Sequence, residues 1–250
     1  MSVVLPVCDE SASFPTFFAA LRRVLESNFG EGPVEVVVIN NGSTDDTSGV
    51  VNRIFSELNG EKFVTVYREF RWRDYSEAVR RGVLLTRGEY IAWLGVDIED
   101  LGSIGRGLGV LKRANADIVI LSKYLGADWR PAKRIIMNRL YTILIRLLDG
   151  LWYSDIEGFM IITRKAKPLL DSLGFSRGNT LNLNLIYFAK KLGIRIEEAP
   201  FYAFEERKSV FLRALAPIVW LNLVSVLTVH KSFKRFAEMN SYTHTSIRQP

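Results

Sequence analysis

Short β-branched runs alternate with segments of helical period along the first half of the chain, and no other feature restricts the fold as much. Val3 to Val7 is an apolar run closed by Asp9-Glu10. Phe14, Phe17, Phe18, Leu21, Val24 and Leu25 then recur at i, i+3, i+4 and i+7, the face of a helix, with Pro15 where a first turn tolerates it. The pattern repeats with strands over Val34–Ile39, Phe63–Tyr67, Tyr90–Leu94 and Asp117–Leu121. Between them fall helices starting near Thr47, Tyr75 and Ile104. Buried strands joined by helices require crossover connections, so the expected fold is α/β, a mostly parallel sheet flanked by helices. Ligands of such sheets bind beyond the carboxyl ends of the strands. The polar stretches there are Cys8-Asp9-Glu10, Asn40 to Asp46 and Gly95 to Asp100.

The second half is less regular. Pro131 to Leu148 predicts a long helix, basic on one side through Lys133, Arg134, Arg139 and Arg146 and apolar elsewhere. Phe159–Thr163 and Arg195–Ala199 predict strands, and Leu181–Leu192 a helix. The expected organisation is one domain over 1–208, an apolar helical segment over 209–238 and a loose tail over 239–250. Its longest apolar run, Ala214 to Val229, is broken by Pro217 and Asn222 and at 16 residues is too short to span a bilayer. The segment is expected to form one or two helices that lie in a membrane interface or else pack on the protein's own core or a second subunit.

Charge and rare residues narrow the chemistry. A net charge of +6 favours an anionic partner. Both histidines, His230 and His244, lie near the C-terminus, which excludes a Ser-His-Asp triad in the body of the chain. The single cysteine excludes an intrachain disulfide, and the N-terminus does not read as a signal peptide. Basic residues are dispersed and no aromatic-basic module occurs, so no nucleic acid partner is expected.

Three constellations carry chemistry. Asn40-Asn41-Gly42-Ser43 lies between a buried strand and a helix start, where free N–H groups converge; it serves either as a turn and cap or as a rest for a nucleotide. Asp97 and Glu99 are two residues apart and face one way in extended chain, which suits a divalent metal on a diphosphate as well as a solvated turn. Lys123, Arg134 and Arg207-Lys208 are scattered cations able to clamp phosphate. The glycine-rich GSIGRGLG, 102–109, lacks the spacing and the preceding strand of a dinucleotide fingerprint.

These stretches, taken in order, resemble the inverting family 2 glycosyltransferases of GT-A fold, in particular the dolichyl-phosphate and polyprenyl-phosphate mannose synthases. VVLPVCDE resembles their opening strand and loop, VINNGSTDDT their DDGSTDDT, RGEYIAWLGVDIED their DxD region, and DIVILSKYLG a later strand. The resemblance spans about residues 2 to 209. It implies that Pro6, Asp9, Glu10, Asn41, Gly42 and Ser43 hold the nucleotide and that Asp97 and Glu99 hold Mg²⁺ or Mn²⁺. Lys123, Arg134, Asn138, Arg207 and Lys208 would hold acceptor phosphate, with Asp155 in a D..SGF-like stretch near the acceptor. It departs from the family at Asn40 and Asn41, both acids in relatives, and at Gly95, the first acid of DxD. Glu99 stands where the family has glutamine and is expected to restore the missing charge.

The implied activity is metal-dependent transfer of a sugar from GDP-mannose or a UDP-hexose to a polyprenyl phosphate, by a protein peripheral to the cytoplasmic face of a membrane. An acceptor phosphate is already nucleophilic and needs cations rather than a base; an acceptor hydroxyl would need one, for which Asp155 is the candidate. A glycosyltransferase for hydroxyls and a silent nucleotide binder remain the alternatives.

Overall fold

In the computed structural model the described residues are 1–29, 32–58, 63–71, 73–174, 176–178, 180–204, 224 and 228–238. The strands are β1 (Ser2–Val7), β2 (Val34–Asn41), β3 (Phe63–Phe70), β4 (Tyr90–Trp93), β5 (Ile118–Asp128), β6 (Phe159–Thr163) and β7 (Ile196–Ala203). They form one seven-stranded sheet in the order β3-β2-β1-β4-β6-β5-β7. Every pairing is parallel except those of β6, which runs antiparallel to both β4 and β5. The helices are α1 (Phe14–Asn28), α2 (Thr47–Glu57), α3 (Tyr75–Leu85), α4 (Ser103–Ala114), α5 (Ala132–Asp149), α6 (Lys167–Ser172) and α7 (Leu181–Lys191).

The two faces of the sheet carry separate cores, as strand alternation demands. Val3, Leu5 and Val7 of β1 and Val34, Val36 and Val38 of β2 pack with α1, α2 and α4. Val4, Val37 and Ile39 point the other way, onto α3, α6 and α7. The 102–109 glycine stretch forms the start of α4, as its failed spacing predicts. A Cβ on Gly107 would sit 2.7 Å from both Ile161 Cδ1 and Leu121 Cδ2, so glycine there sets how closely α4 approaches the sheet.

Pro6 lies buried inside β1, opposite Ile39 of β2. Val4 turns its carbonyl to Leu94 N–H at 3.0 Å, and Pro6, two residues on, faces the same side. The β4 pairing has ended there, at Val4 opposite Trp93, so the missing proline N–H breaks no ladder bond.

Of the C-terminal apolar segment, only residue 224 and the helical stretch 228–238 fall among the described residues. Val229, Phe233 and Phe236 pack on the core beside α7. His230 bridges the two helices beneath it: Nδ1 is 2.7 Å from the Tyr187 hydroxyl and Nε2 2.7 Å from Asp149 Oδ1. Burial raises the Asp149 carboxyl above its usual range, against the opposing pull of His230. The interfacial reading covers 209–238; in its described stretch 228–238 the apolar side chains Val229, Phe233 and Phe236 face the core, and its residues 209–223 and 225–227, with the tail over 239–250, lie outside the described residues.

Candidate active site

The neighbouring strands β2, β1 and β4 all end at one edge of the sheet, and their loops form its floor. The first loop turns sharply at Asp9, whose φ of 56° puts a non-glycine residue in the left-handed region. That conformation is held from every side. Asp9 N–H donates to Ser43 Oγ at 3.0 Å, and Oδ1 accepts from Thr44 N–H at 2.6 Å and Thr44 Oγ1 at 3.1 Å. Arg73 Nη2 lies 2.5 Å from Asp9 Oδ2 while Nε donates to the Gly42 carbonyl at 3.2 Å. The Thr44 hydrogen bond, helped by Arg73, holds the Asp9 carboxyl below its usual range.

The hydroxyls and carboxylates after β2 therefore serve the first loop more than the helix behind them. Glu10 N–H donates to Thr47 Oγ1 at 2.8 Å, and Ser11 N–H to Asp45 Oδ2 at 3.0 Å. Asp46 occupies the N-cap position of α2 without a side-chain cap bond, so the capping expected of this cluster reduces to Asp45 accepting from Thr47 N–H at 3.0 Å. Desolvation works to raise Asp45; the hydrogen bonds from Ser11 and Thr47 overcome it and keep the carboxyl well below the usual range.

The two amides have separate tasks. Asn40 is fully buried: Oδ1 accepts from Ser43 N–H at 3.0 Å, and Nδ2 donates to Ser48 Oγ at 2.8 Å and Tyr67 OH at 3.1 Å. An aspartate could accept these bonds but not donate them. Asn41 Oδ1 accepts from Asp74 N–H at 2.8 Å, tying the loop before α3 to the site, while its Nδ2 has no partner among the described residues. Gly42, between them and Ser43, has φ 74°, which glycine adopts without strain. Asp9, Glu10, Asn41, Gly42 and Ser43 are thus brought together at the edge. Pro6 is not: it stays inside β1.

After β4 the chain turns, with Ile98 N–H on the Gly95 carbonyl at 3.4 Å, so the extended backbone expected at Asp97 and Glu99 is absent. The shared orientation survives because Val96 and Ile98 are buried and Asp97 and Glu99 are both exposed. Neither carboxylate has a hydrogen-bond or ion-pair partner among the described residues. A Cβ on Gly95 would lie 2.4 Å from Asp97 Oδ1, so Asp97 occupies the space a first DxD acid would need. The Asp97 charge also lies near Tyr75, whose hydroxyl is raised first by burial and then by that carboxylate. Among the described residues no group of three histidine, cysteine or acidic side chains could hold a metal. Two unpaired carboxylates fit Mg²⁺ or Mn²⁺ where phosphate oxygens supply the other ligands.

The antiparallel β6 brings a second set of residues to the same edge. Leu121 of β5 pairs with Phe159 of β6, so the residues following Leu121 meet those preceding Phe159. There Lys123 Nζ lies 2.6 Å from Asp155 Oδ2, both side chains buried, and Lys123 N–H donates to the same oxygen at 3.2 Å. Asp155, the expected base for a hydroxyl acceptor, is therefore consumed by an ion pair. Arg134 and Asn138, half-buried, stand one turn apart on α5. Arg207 and Lys208 lie outside the described residues.

Two residues of the site were not singled out from the sequence. Arg73 could be read there only as an acceptor contact or an ordinary loop residue, not as a tie between the two loops. Glu157 had one: a carboxylate two residues after Asp155, just before an apolar strand. Burial raises the Glu157 carboxyl, with Lys123 opposing and Asp155 adding to the shift.

The chain spans about 65% of the length of the curated relatives it matches. It is 28% identical over 216 residues to a dolichyl-phosphate beta-glucosyltransferase of Mus musculus, covering 79% of this chain and 65% of that one. A protein of the same name from Dictyostelium discoideum is 23% identical over 212 residues, with 79% and 64% covered. These names specify glucose, where the sequence motifs resemble mannose synthases and leave the donor open between GDP-mannose and a UDP-hexose. Glucosyl-3-phosphoglycerate synthase of Mycobacterium tuberculosis, solved with Mn²⁺, UDP-glucose and phosphoglyceric acid, superposes with a TM-score of 0.64 at 21% identity, covering 90% of this chain and 78% of that one. That likeness shows the GT-A fold. The family model for glycosyl transferase family 2 matches residues 2–167, the sheet edge and its loops included, and the chain belongs to that family.

Proposed function

We propose that the chain transfers glucose from UDP-glucose to a polyprenyl phosphate, with inversion at the anomeric carbon. The observation that carries this reading is the two-sided character of α5. Arg134 and Asn138 lie in its first two turns, and Arg134, like Lys123, acts on the Glu157 carboxyl. Its outward stripe, Ile136, Leu140, Ile143, Leu144 and Leu147, is exposed, Leu147 to 73%. Trp129 and Trp152, both exposed, flank the two ends of the helix. Cations next to an apolar face with aromatic ends suit a phosphate carried on a long apolar chain at a membrane interface. No helix among the described residues is long and apolar enough to cross a membrane.

The residues divide the work. Asn41, Gly42 and Ser43 with the Asp9 loop would seat the nucleoside. Asp97 with Glu99 would hold Mg²⁺ or Mn²⁺, which offsets charge on the departing diphosphate. Arg134 and Asn138 would orient the acceptor phosphate, Lys123 joining them only by giving up Asp155, and one phosphate oxygen attacks the anomeric carbon opposite the leaving UDP. No base is required, which agrees with Asp155 being bound to Lys123. The relatives' names favour glucose over mannose. The test is transfer of label from UDP-glucose or GDP-mannose to a short polyprenyl phosphate, with Mn²⁺ and with a chelator. Metal-dependent label in the organic phase from UDP-glucose alone is the expected result; no transfer to the lipid with either donor sinks the reading.

A further inference from the structure

Along one flank of α5, away from Arg134, lies a cavity of about 240 Å³ lined by Tyr124, Arg139, Thr142, Ile143, Arg146 and Ser154. Its donors are conspicuously unspent. The Tyr124 hydroxyl is buried and has no hydrogen-bond partner among the described residues, a costly state when nothing else answers it. Arg139 stacks its guanidinium over the Tyr124 ring at 5.4 Å and has no carboxylate or carbonyl partner among the described residues. Arg146 spends two N–H groups on the Tyr153 carbonyl, at 3.1 and 2.8 Å, and its others have no partner among the described residues.

The acids nearby do not neutralise this flank. Glu198 accepts from Ser154, through its N–H at 2.8 Å and its hydroxyl at 2.5 Å, and with no cation partner among the described residues sets one carboxylate charge against the two guanidiniums. Asp128 is paired with Arg130 at 2.7 Å, and Asp155 with Lys123. Strand alternation sets the cavity beside that last pair rather than around it, and the Asp155 charge still reaches the Tyr124 hydroxyl. Ser122 and Tyr124 meet Ser154, Ser122 Oγ lying 2.5 Å from Ser154 Oγ, while Lys123 between them takes Asp155.

We infer that this cavity is a second anion site, for a phosphate group held by Arg139, Arg146 and the Tyr124 hydroxyl. Two guanidiniums and a phenol O–H match the acceptor oxygens of a phosphate, and the fork of each arginine can meet two of them. Ile143 belongs both to the cavity wall and to the exposed apolar stripe of α5, so a phosphate with an attached acyl chain could lay the chain along the helix. The site does not depend on the transfer reaction proposed above.

The test uses the whole chain with excess UDP present to occupy the nucleotide loops. Inorganic phosphate is titrated by calorimetry, and flotation is measured with phosphatidylcholine vesicles with and without phosphatidic acid. Tyr124→Phe removes the orphan hydroxyl without altering packing, so its melting temperature should hold or rise. It and Arg139→Gln should each weaken binding of the responding probe by roughly tenfold, the scale of a lost charge-assisted bond. A response to phosphatidic acid vesicles assigns a lipid headgroup; a response to phosphate alone assigns a free anion, and both support the site. Unchanged binding in both well-folded variants overturns it.

Discussion

Arg73 holds Asp9 and Gly42 at once, with Nη2 2.5 Å from Asp9 Oδ2 and Nε 3.2 Å from the Gly42 carbonyl. One side chain from the loop before α3 thus spans the loops after β1 and β2, where a nucleotide would lie. Both partners of the ion pair are exposed, so it adds little to global stability. Arg73→Ala is expected to leave the melting temperature nearly unchanged and to weaken UDP binding about tenfold, as the two loops lose their common tie. Calorimetry with UDP beside a thermal melt separates the two effects.

Acid should open this region first. Asp9 and Asp45 both have folded pKa values below their unfolded ones. Their contribution is present above the unfolded value, about 4, and disappears as pH falls through the folded values. Hydrogen exchange should therefore show residues 9–11 and 43–47 losing protection below about pH 4, ahead of the core strands.

Glu157 has the opposite sign. Its carboxyl is raised by burial, so the native state binds more protons than the unfolded one and stability falls as pH rises from about 4.3 through the folded value. Glu157→Gln should remove that slope and leave stability at pH 7 equal or higher. Denaturant titrations across pH would show it, and a large loss at pH 7 would contradict the assignment.

The Lys123–Asp155 pair predicts strong non-additivity. Removing one partner leaves a buried charge, so Lys123→Met or Asp155→Asn should each cost about 3–5 kcal/mol. Replacing both with apolar residues should cost less than the sum. If Asp155→Asn were well tolerated in urea unfolding, the pair would not be holding β5 to the segment before β6.

At the metal loop, Glu99→Gln should lower metal-dependent turnover by about tenfold or more if Glu99 makes up for Gly95. Gly95→Asp should not rescue it, because the new Cβ falls 2.4 Å from Asp97 Oδ1 and displaces that carboxylate. Turnover against Mn²⁺ concentration distinguishes the two.

The parts of the fold readable in sequence were those set by local period. Helix α3 runs from Tyr75 to Leu85 as its spacing predicts, and β4 misses by one residue. Strands β5 and β7 run several residues beyond their β-branched runs, because they pair again at Ala127–Tyr202 past an irregularity that no single segment encodes. The direction of β6 depends on two neighbours remote in sequence, so FMIIT alone could not reveal it. The same holds for α5. Its apolar and basic sides are plain in the sequence, but which side faces outward is settled by the tertiary packing that buries Thr142, Ile145 and Asp149. Asn41 was found through its motif. Its bond to Asp74 could not be, since it joins residues 33 apart.

The reversed strand β6 also divides the molecule's inheritance. Among the described residues, those proposed for the nucleotide come from the parallel run β3-β2-β1-β4, and those proposed for the acceptor from β5, β6 and α5 on its far side. The boundary is a short antiparallel join from Tyr90–Trp93 to Met160–Thr163 that carries none of the proposed ligand contacts. A lineage could recast the stretch from Ile118 to Phe159 for a new acceptor while its grip on the donor stayed as it was, and a chimera built at that join would be the laboratory version of the same trade.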